Sequence, residues 1–334
     1  MLKTSTEAGV ALTRHVLNGA TMGTRYSAIF LAPKGEDVSM IGPALFAAVD
    51  QVDQQMSTWK PTSDLMRLNR APRGIWQVLP RELMTVLTTA LDIGERSGGL
   101  FDIGVGDLVG AWGFGAEGRT PDQARIAAGL SLRRTPAHKL VELDAAQGRA
   151  RRHGAVQLDL SGIAKGFGAD EMMRCLTGFG IKRALVSLDG ELSARGLNEH
   201  NMPWAVGVER PDFETRDVLG VIDLTDSAVA TSGDYRHWVD VGKMRLSHTM
   251  DPRLGGPMRN RVASVSVVHP LCMYADAWAT ACMVAGEDAG PALARQNGLS
   301  ALFLLRDGGE LREIGVGPMF EGPTAESRPQ GARG

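Results

Sequence analysis

Asp276 and Thr280 stand four residues apart in the run Ala275-Asp276-Ala277-Trp278-Ala279-Thr280-Ala281. If that run is a helix, the carboxylate and the hydroxyl share one face. Two hard oxygen ligands placed this way can hold a cation such as Mg²⁺ beside a phosphate. The same pair also arises when an Asp caps a helix N-terminus and a Thr bonds back to the preceding turn. Other segments decide between the two.

One is Asp159-Leu160-Ser161-Gly162-Ile163-Ala164-Lys165-Gly166-Phe167-Gly168. Its pattern predicts a strand ending at Leu160 and a helix beginning near Ile163. Such a junction offers free N–H groups and the positive end of a helix dipole to an anion. Gly162 lets the backbone approach a ligand or present its carbonyl to a cation. Lys165 can neutralise a diphosphate, and Asp159 can accept from a ligand hydroxyl or ring N–H. The segment matches neither the Walker A nor the dinucleotide-binding fingerprint. Ser161 as a cap and Lys165 as a solvated side chain explain it equally well in isolation.

A third segment, Leu246 to Pro257, carries His248 among the turn signals Asp251-Pro252 and Gly255-Gly256-Pro257. A histidine there can titrate near neutrality and act as a general base, or simply bond its own turn. Ala230-Thr231-Ser232-Gly233-Asp234-Tyr235 is another polar turn after an apolar strand. Met22 and Trp59 offer polarisable or flat surfaces for an aromatic ring, although such residues more often sit in a core. Gly99-Leu100-Phe101-Asp102-Ile103-Gly104 is a turn bounded by glycines.

Period-two and helical spacing outline the elements that must hold these groups. Strand patterns cover 24–32, 139–143, 155–160, 184–188, 204–209, 218–224, 262–268 and 301–305. Helical patterns cover about 38–56, a short stretch capped by Ser63 and Asp64, the region of Leu83 to Leu91 ending at Ser97-Gly98-Gly99, a short helix that starts at Pro121, and 163–179. The mixed order argues for an α+β fold with mixed, largely antiparallel sheets and packed helices rather than a doubly wound sheet.

The bulk numbers narrow the function classes. The chain has 334 residues, 43% hydrophobic and 22% charged, with a net charge of −2, so nothing points to nucleic acid. No stretch nears the ~20 apolar residues of a membrane-spanning helix. Cys175, Cys272 and Cys282 lack metal-ligand spacing, and Cys175 and Cys282 sit in apolar patterns that read as core. Met1 to Asn18 lacks the features of a secretory leader and has no cysteine for a lipid, so a cytoplasmic location is the expectation.

In this order, the segments resemble the ApbE family, the FAD:protein FMN transferases. The resemblance rests on Met22-Gly23-Thr24, Met56-Ser57-Thr58-Trp59, the 99–102 turn, the Asp159–Gly166 junction, Ala230–Tyr235, His248-x-x-Asp251-Pro252 and Ala275–Thr280, and it runs from about Gly19 to Gly286. It implies an N-terminal extension over 1–18, an ApbE-like flavin transferase domain over 19–320 and a flexible tail over 321–334. It implies a Mg²⁺-dependent enzyme that splits FAD, releases AMP and attaches FMN to a Thr or Ser hydroxyl of an acceptor flavoprotein. Matched residue by residue, it puts Gly162 (carbonyl), Asp276 and Thr280 on the metal. It puts Met22, Trp59, Leu100, Phe101, Asp102, Asp159, Lys165 and Met250 around FAD, and His248 at the catalytic base. Trp59 departs from the family's usual Tyr, which bears on the balance between transfer and hydrolysis. The family is typically exported and lipid-anchored, and this chain shows no such leader, so either it works in the cytoplasm or a leader has been removed. The competing readings are a Mg²⁺-dependent FAD pyrophosphatase and a non-catalytic FAD carrier.

Overall fold

Side chains alternate across a strand, and that alternation builds the molecule's layers. The structure, a computed structural model, describes residues 11–321 apart from 117, 119, 132, 237, 242 and 243. The elements begin with β1 (Leu12–Thr21), β2 (Thr24–Pro33), α1 (Ile41–Met56), α2 (Asp64–Arg70), β3 (Gln77–Val78), α3 (Arg81–Arg96), α4 (Gly106–Ala111), α5 (Gln123–Ser131), β4 (Val141–Asp144) and β5 (Arg149–Arg152). Then come α6 (Ala164–Gly178), β6 (Ala184–Leu188), β7 (Glu191–Arg195), β8 (Trp204–Glu209), β9 (Val218–Leu224), β10 (Ser227–Gly233), β11 (Trp238–Val241), β12 (Met244–Ser247), β13 (Met250–Asp251) and β14 (Gly256–Pro257). The chain closes with β15 (Val262–His269), α7 (Cys272–Gln296), β16 (Ser300–Asp307) and β17 (Glu310–Val316).

Eight strands form one antiparallel sheet in the order β1-β2-β6-β7-β10-β15-β16-β17. Ala28, Phe30, Val186, Leu188, Ala228, Ala230, Val265, Val267 and Phe303 face the helices. The alternate residues Ile29, Leu185, Val229, Val268 and Leu304 face the other way, under the β8–β9 hairpin with Trp204, Val206, Ile222 and Leu224. This is the mixed, largely antiparallel α+β arrangement that the sequence pattern implies. No helix among the described residues is long and apolar enough to cross a membrane.

Helix α7 lies close against the sheet because Ala275, Ala277, Ala279, Ala281 and Cys282 are small, while Trp278 fills the remaining space. Gly286 interrupts the helix at φ 82°, a backbone state that glycine adopts without strain. The kink frees carbonyls that outside side chains take up: Asn260 Nδ2 donates to Met283 O at 2.9 Å and Arg253 Nη2 to Val284 O at 3.0 Å.

Several boundaries differ from the sequence pattern. The 155–160 stretch is extended but joins no sheet, apart from a parallel bridge of Gln157 with Val105. Its backbone groups are met elsewhere: Asn69 Oδ1 accepts from Leu158 N and its Nδ2 donates to Leu158 O, both at 2.8 Å. Asp159 N donates to Ile103 O at 2.8 Å. The strand expected over 139–143 starts later, as β4, after a 3-10 turn at Ala137–Lys139. From Leu12 onward the expected N-terminal extension is strand β1, exposed on one side and half-buried on the other through His15, Leu17, Gly19 and Thr21, a face too mixed in polarity to show an apolar alternation. Residues 1–10 of that extension and residues 322–334 of the expected tail lie outside the described residues.

Asp170, on α6, accepts from Cys272 N and Met273 N at 2.9 Å each and so caps α7 from a neighbouring helix. It is 7% exposed, and burial pushes its carboxyl up to about 6 despite the two N–H donors. A raised folded-state pKa means that the group favours folding below the ordinary Asp value and loses that contribution as pH climbs through about 6. The Asp170→Asn variant should therefore gain stability relative to the wild type between pH 4 and 7, by roughly 2–3 kcal/mol for a shift of this size. Urea unfolding at the two pH values checks this; equal differences at both would refute it.

Candidate active site

Two tight hairpins bring the first groups together. The β1–β2 turn is Met22-Gly23 at φ 48° and 71°, and the β6–β7 turn is Asp189-Gly190 at φ 55° and 106°. Two successive positive φ values mark turns of the I′ type, which match strand twist. Because β2 and β6 are neighbours, the tips sit side by side. Thr24 Oγ1 donates to Asp189 Oδ1 at 2.6 Å, and Asp189 N donates to Arg25 O at 3.2 Å. Met22 is held in a left-handed conformation that costs a side-chain-bearing residue about 1–3 kcal/mol. Its Cε reaches the surface of α6 near Gly168.

Below the tips, α6 and α7 meet. Asp276 is 4% exposed and does not cap its own helix; its Oδ2 accepts from Gly166 N at 3.0 Å. Gly166 permits the contact, since a Cβ there would stand 2.5 Å from Cys272 O and 2.8 Å from Asp276 Cβ. Thr280 lies one turn on, with its Oγ1 3.0 Å from Ser232 Oγ at the end of β10. A Cβ on Gly162 would lie 3.2 Å from Thr280 Oγ1, so the α6 approach passes directly beside that hydroxyl.

Lys165 Nζ donates to Glu191 Oε1 at 3.0 Å and Asp189 Oδ2 at 3.3 Å. Burial pushes the ammonium down, but Glu191, Asp276 and Asp189 together outweigh it and hold Lys165 above its ordinary value. Burial raises Glu191 and Asp276 above the usual carboxylate range, with Lys165 opposing in both cases. Three carboxyl groups thus crowd one ammonium, and the raised values of Glu191 and Asp276 mean that protons offset part of their charge. Lys165, already paired with two of the three, has little positive charge to spare for a diphosphate.

Side chains pin the strand-to-helix junction. Besides the Asn69 bonds, Arg152 donates to Leu68 O, Val156 O and Ala71 O, tying the end of α2 to this segment. Asp159, buried, accepts from Ser161 N at 2.8 Å through Oδ1. Asp102 uses one oxygen to accept from Gly104 N at 2.8 Å and Ala137 N at 3.0 Å, which shapes its own turn.

His248 sits half-buried in a bend between β12 and β13, edge-on to Phe114 with ring centroids 6.3 Å apart. Its loop is anchored through Asp251, which pairs with Arg253 at 2.8 Å; Arg253 in turn bonds the α7 carbonyl freed by the kink. The helix of Asp276 and the turn of His248 are therefore tied to one another.

Two clefts, of about 930 and 860 Å³, share Ser161, Lys165 and Arg236. The first takes in Leu100, Phe101, Asp102, Asp159, Gly162, His248, Met250, Asp276 and Thr280. The second takes in Met22 and Trp59, the latter 59% exposed. All twelve residues singled out in the sequence line one cleft or the other, with Lys165 where they join. Phe101 and Met250 also belong to apolar clusters, so each is wall and core at once.

Among the described residues no three His, Cys, Asp or Glu side chains form a cage for a metal ion. The oxygens present are the Asp276 carboxylate, the Thr280 and Ser232 hydroxyls and the Gly162 backbone. So sparse a hard-oxygen set fits Mg²⁺, which binds through one or two carboxylates and substrate phosphates and keeps water for the rest.

Sequence reasoning missed Glu191, Asp189, Asp170 and Asn69. Asp189-Gly190 between two apolar runs is a hairpin signal that could have placed the first two at a tip. Nothing local marks Asp170 or Asn69, whose partners lie in distant segments.

A family model described as "ApbE family" matches residues 22–303. The FAD:protein FMN transferase of Vibrio cholerae serotype O1 is 36% identical over 293 residues, covering 87% of each chain. That of Escherichia coli strain K12 is 32% identical over 310 residues, covering 92% of this chain and 88% of the other. Among solved structures, the flavin transferase ApbE from Vibrio cholerae superposes with a TM-score of 0.82 at 32% identity, over 92% of this chain and 98% of that one. The apo flavinyl transferase ApbE of Pseudomonas stutzeri gives 0.80 at 30% identity, over 91% and 95%.

The close approach of α6 and α7 yields a test. Gly166→Ala should destabilise the protein by about 1–3 kcal/mol, since backbone must move to admit the methyl. Gly168→Ala should cost less, because the nearest atom to its Cβ, at 2.8 Å, is the free end of the Leu188 side chain. Thermal unfolding of the two variants checks the order, and the reverse order would contradict the packing described.

Proposed function

Because the chain belongs to the ApbE family, we propose that this enzyme transfers FMN from FAD to a Thr or Ser hydroxyl of an acceptor flavoprotein, with Mg²⁺ bound and AMP released. Its kinship with FAD:protein FMN transferases supports flavin transfer as the activity. The observation that carries the finer reading is that Lys165, at the meeting point of two clefts, is already paired with Glu191 and Asp189 and lies near Asp276. A site for a diphosphate there requires a cation, and Asp276, Thr280 and the Gly162 carbonyl are the oxygens to hold it.

In this reading FAD spans both clefts. Met22 and Trp59 offer flat surfaces in one; Leu100, Phe101, Asp102 and Met250 wall the other. Asp159 accepts from a ligand hydroxyl or ring N–H, and Lys165 meets the diphosphate. When bound, Mg²⁺ neutralises charge on the phosphates. The acceptor oxygen attacks the FMN phosphorus, its proton passes to His248, and the bond to the AMP phosphate breaks. Because these groups only position and neutralise, no covalent intermediate on the protein is required. The open position of Trp59 favours one second reading, in which water replaces the acceptor and the products are FMN and AMP. A carrier would have no use for Asp276, Thr280 and His248 together.

Incubation with FAD, Mg²⁺ and a candidate acceptor, followed by mass spectrometry, separates transfer from hydrolysis: an FMN unit on the acceptor supports the first, and FMN with AMP but no adduct the second. His248→Asn should slow transfer by ~10²-fold or more, the range for a lost general base, and leave FAD affinity by calorimetry within a few-fold. An unchanged rate at saturating FAD, Mg²⁺ and acceptor would remove His248 from the mechanism. Asp276→Ala should weaken Mg²⁺ binding more than Thr280→Ala, because charge dominates hard-cation affinity; calorimetry with Mg²⁺ showing the opposite order would break the helix-face assignment.

A further inference from the structure

Glu191 has no role in the scheme above, yet it is 3% exposed at the start of β7 and its Oε2 has no hydrogen-bond partner. A buried carboxylate with an unmatched oxygen carries a desolvation penalty that a charged partner offsets in part. That partner is Lys165, 3.0 Å from Oε1. Asp189, more open and shared with Thr24, holds the same ammonium at 3.3 Å. An ammonium has three N–H donors. With two taken by Glu191 and Asp189, one remains, and the Lys165 side chain is 30% exposed where the clefts meet. Lysine's long stem is otherwise free to sample many rotamers, and ordering it on ligand binding has an entropic cost.

We propose that Glu191 is a positioning residue acting through Lys165: it tethers the ammonium so that the remaining N–H is aimed at a bound diphosphate before the ligand arrives. The proposal rests on the reading of Lys165 as the diphosphate ligand. Glu191 touches no reacting atom; its effect is to preorganise the one that does.

A double-mutant cycle tests it, with FAD and riboflavin affinities measured by calorimetry in Mg²⁺. Glu191→Gln should weaken FAD binding about tenfold and leave riboflavin, which has no phosphate, within about twofold. In a Lys165→Met background the same change should alter FAD affinity by less than about twofold. Equal losses of FAD affinity in both backgrounds, or equal losses for FAD and riboflavin, would overturn the proposal. So would an unchanged FAD affinity in Glu191→Gln alone. If Lys165→Met fails to fold, the FAD-to-riboflavin comparison in Glu191→Gln decides by itself. FMN transfer by the wild type is assayed in parallel. Transfer without coupling overturns the positioning role alone, coupling without transfer overturns the transferase reading alone, and a wild type that does not bind FAD overturns both.

Discussion

One contact governs the site: the N–H of Gly166 donating to the buried carboxylate of Asp276 where α6 and α7 cross. It can form only because position 166 has no Cβ, and it fixes a carboxylate at the floor of the cleft, where water barely reaches it. The rest of the junction serves that placement. Asp170 caps α7 from α6, the small residues of α7 let it sit low on the sheet, and Trp278 locks its rotation. A carboxylate so held has few orientations open to it, as a metal or phosphate site requires.

The other groups reach the same place by separate routes, which explains the scatter of the site along the chain. Hairpin tips bring Met22, Asp189 and Glu191 to one end of the sheet. The Asn69 and Arg152 bonds hold the extended segment ahead of α6. The kink at Gly286 frees the carbonyls that anchor Arg253 and, through Asp251, the loop of His248. Rigid elements position the oxygens proposed for the metal, whereas turns present the proposed base and the flat surfaces. The exposures follow the same division, with the Asp276 carboxyl buried at the helix crossing and Trp59 open to solvent.

Helical periodicity made Asp276 and Thr280 legible, because four-residue spacing on a helix is independent of tertiary context. Lys165 and Gly162 were legible as a strand-to-helix junction even though the strand proved to be an extended segment. The alternation of Val156, Leu158 and Leu160 is the same for a strand and for a chain whose N–H and C=O groups are met by Asn69 and Ile103. Glu191 was not legible. An acidic residue after Asp-Gly reads as a solvated turn, and only the packing of α6 on the β6–β7 hairpin brings it to Lys165. Strand β1 escaped notice because its half-buried face carries His15, Gly19 and Thr21 while Leu12 and Val16 stand on the exposed one, so its sequence shows no apolar alternation. In this chain local pattern marked the groups proposed for the chemistry, while the groups that hold them in place depend on contacts between distant segments.

The central claim is that Asp276, Thr280 and the Gly162 carbonyl gather one divalent cation that carries the diphosphate. Diffraction from crystals grown with Mn²⁺ and ADP, recorded at a wavelength where manganese scatters anomalously, tests it directly. The expected result is a single strong anomalous peak in contact with Asp276, Thr280 and a phosphate oxygen of the nucleotide. A nucleotide bound with no such peak, or a peak held by other residues, would contradict it.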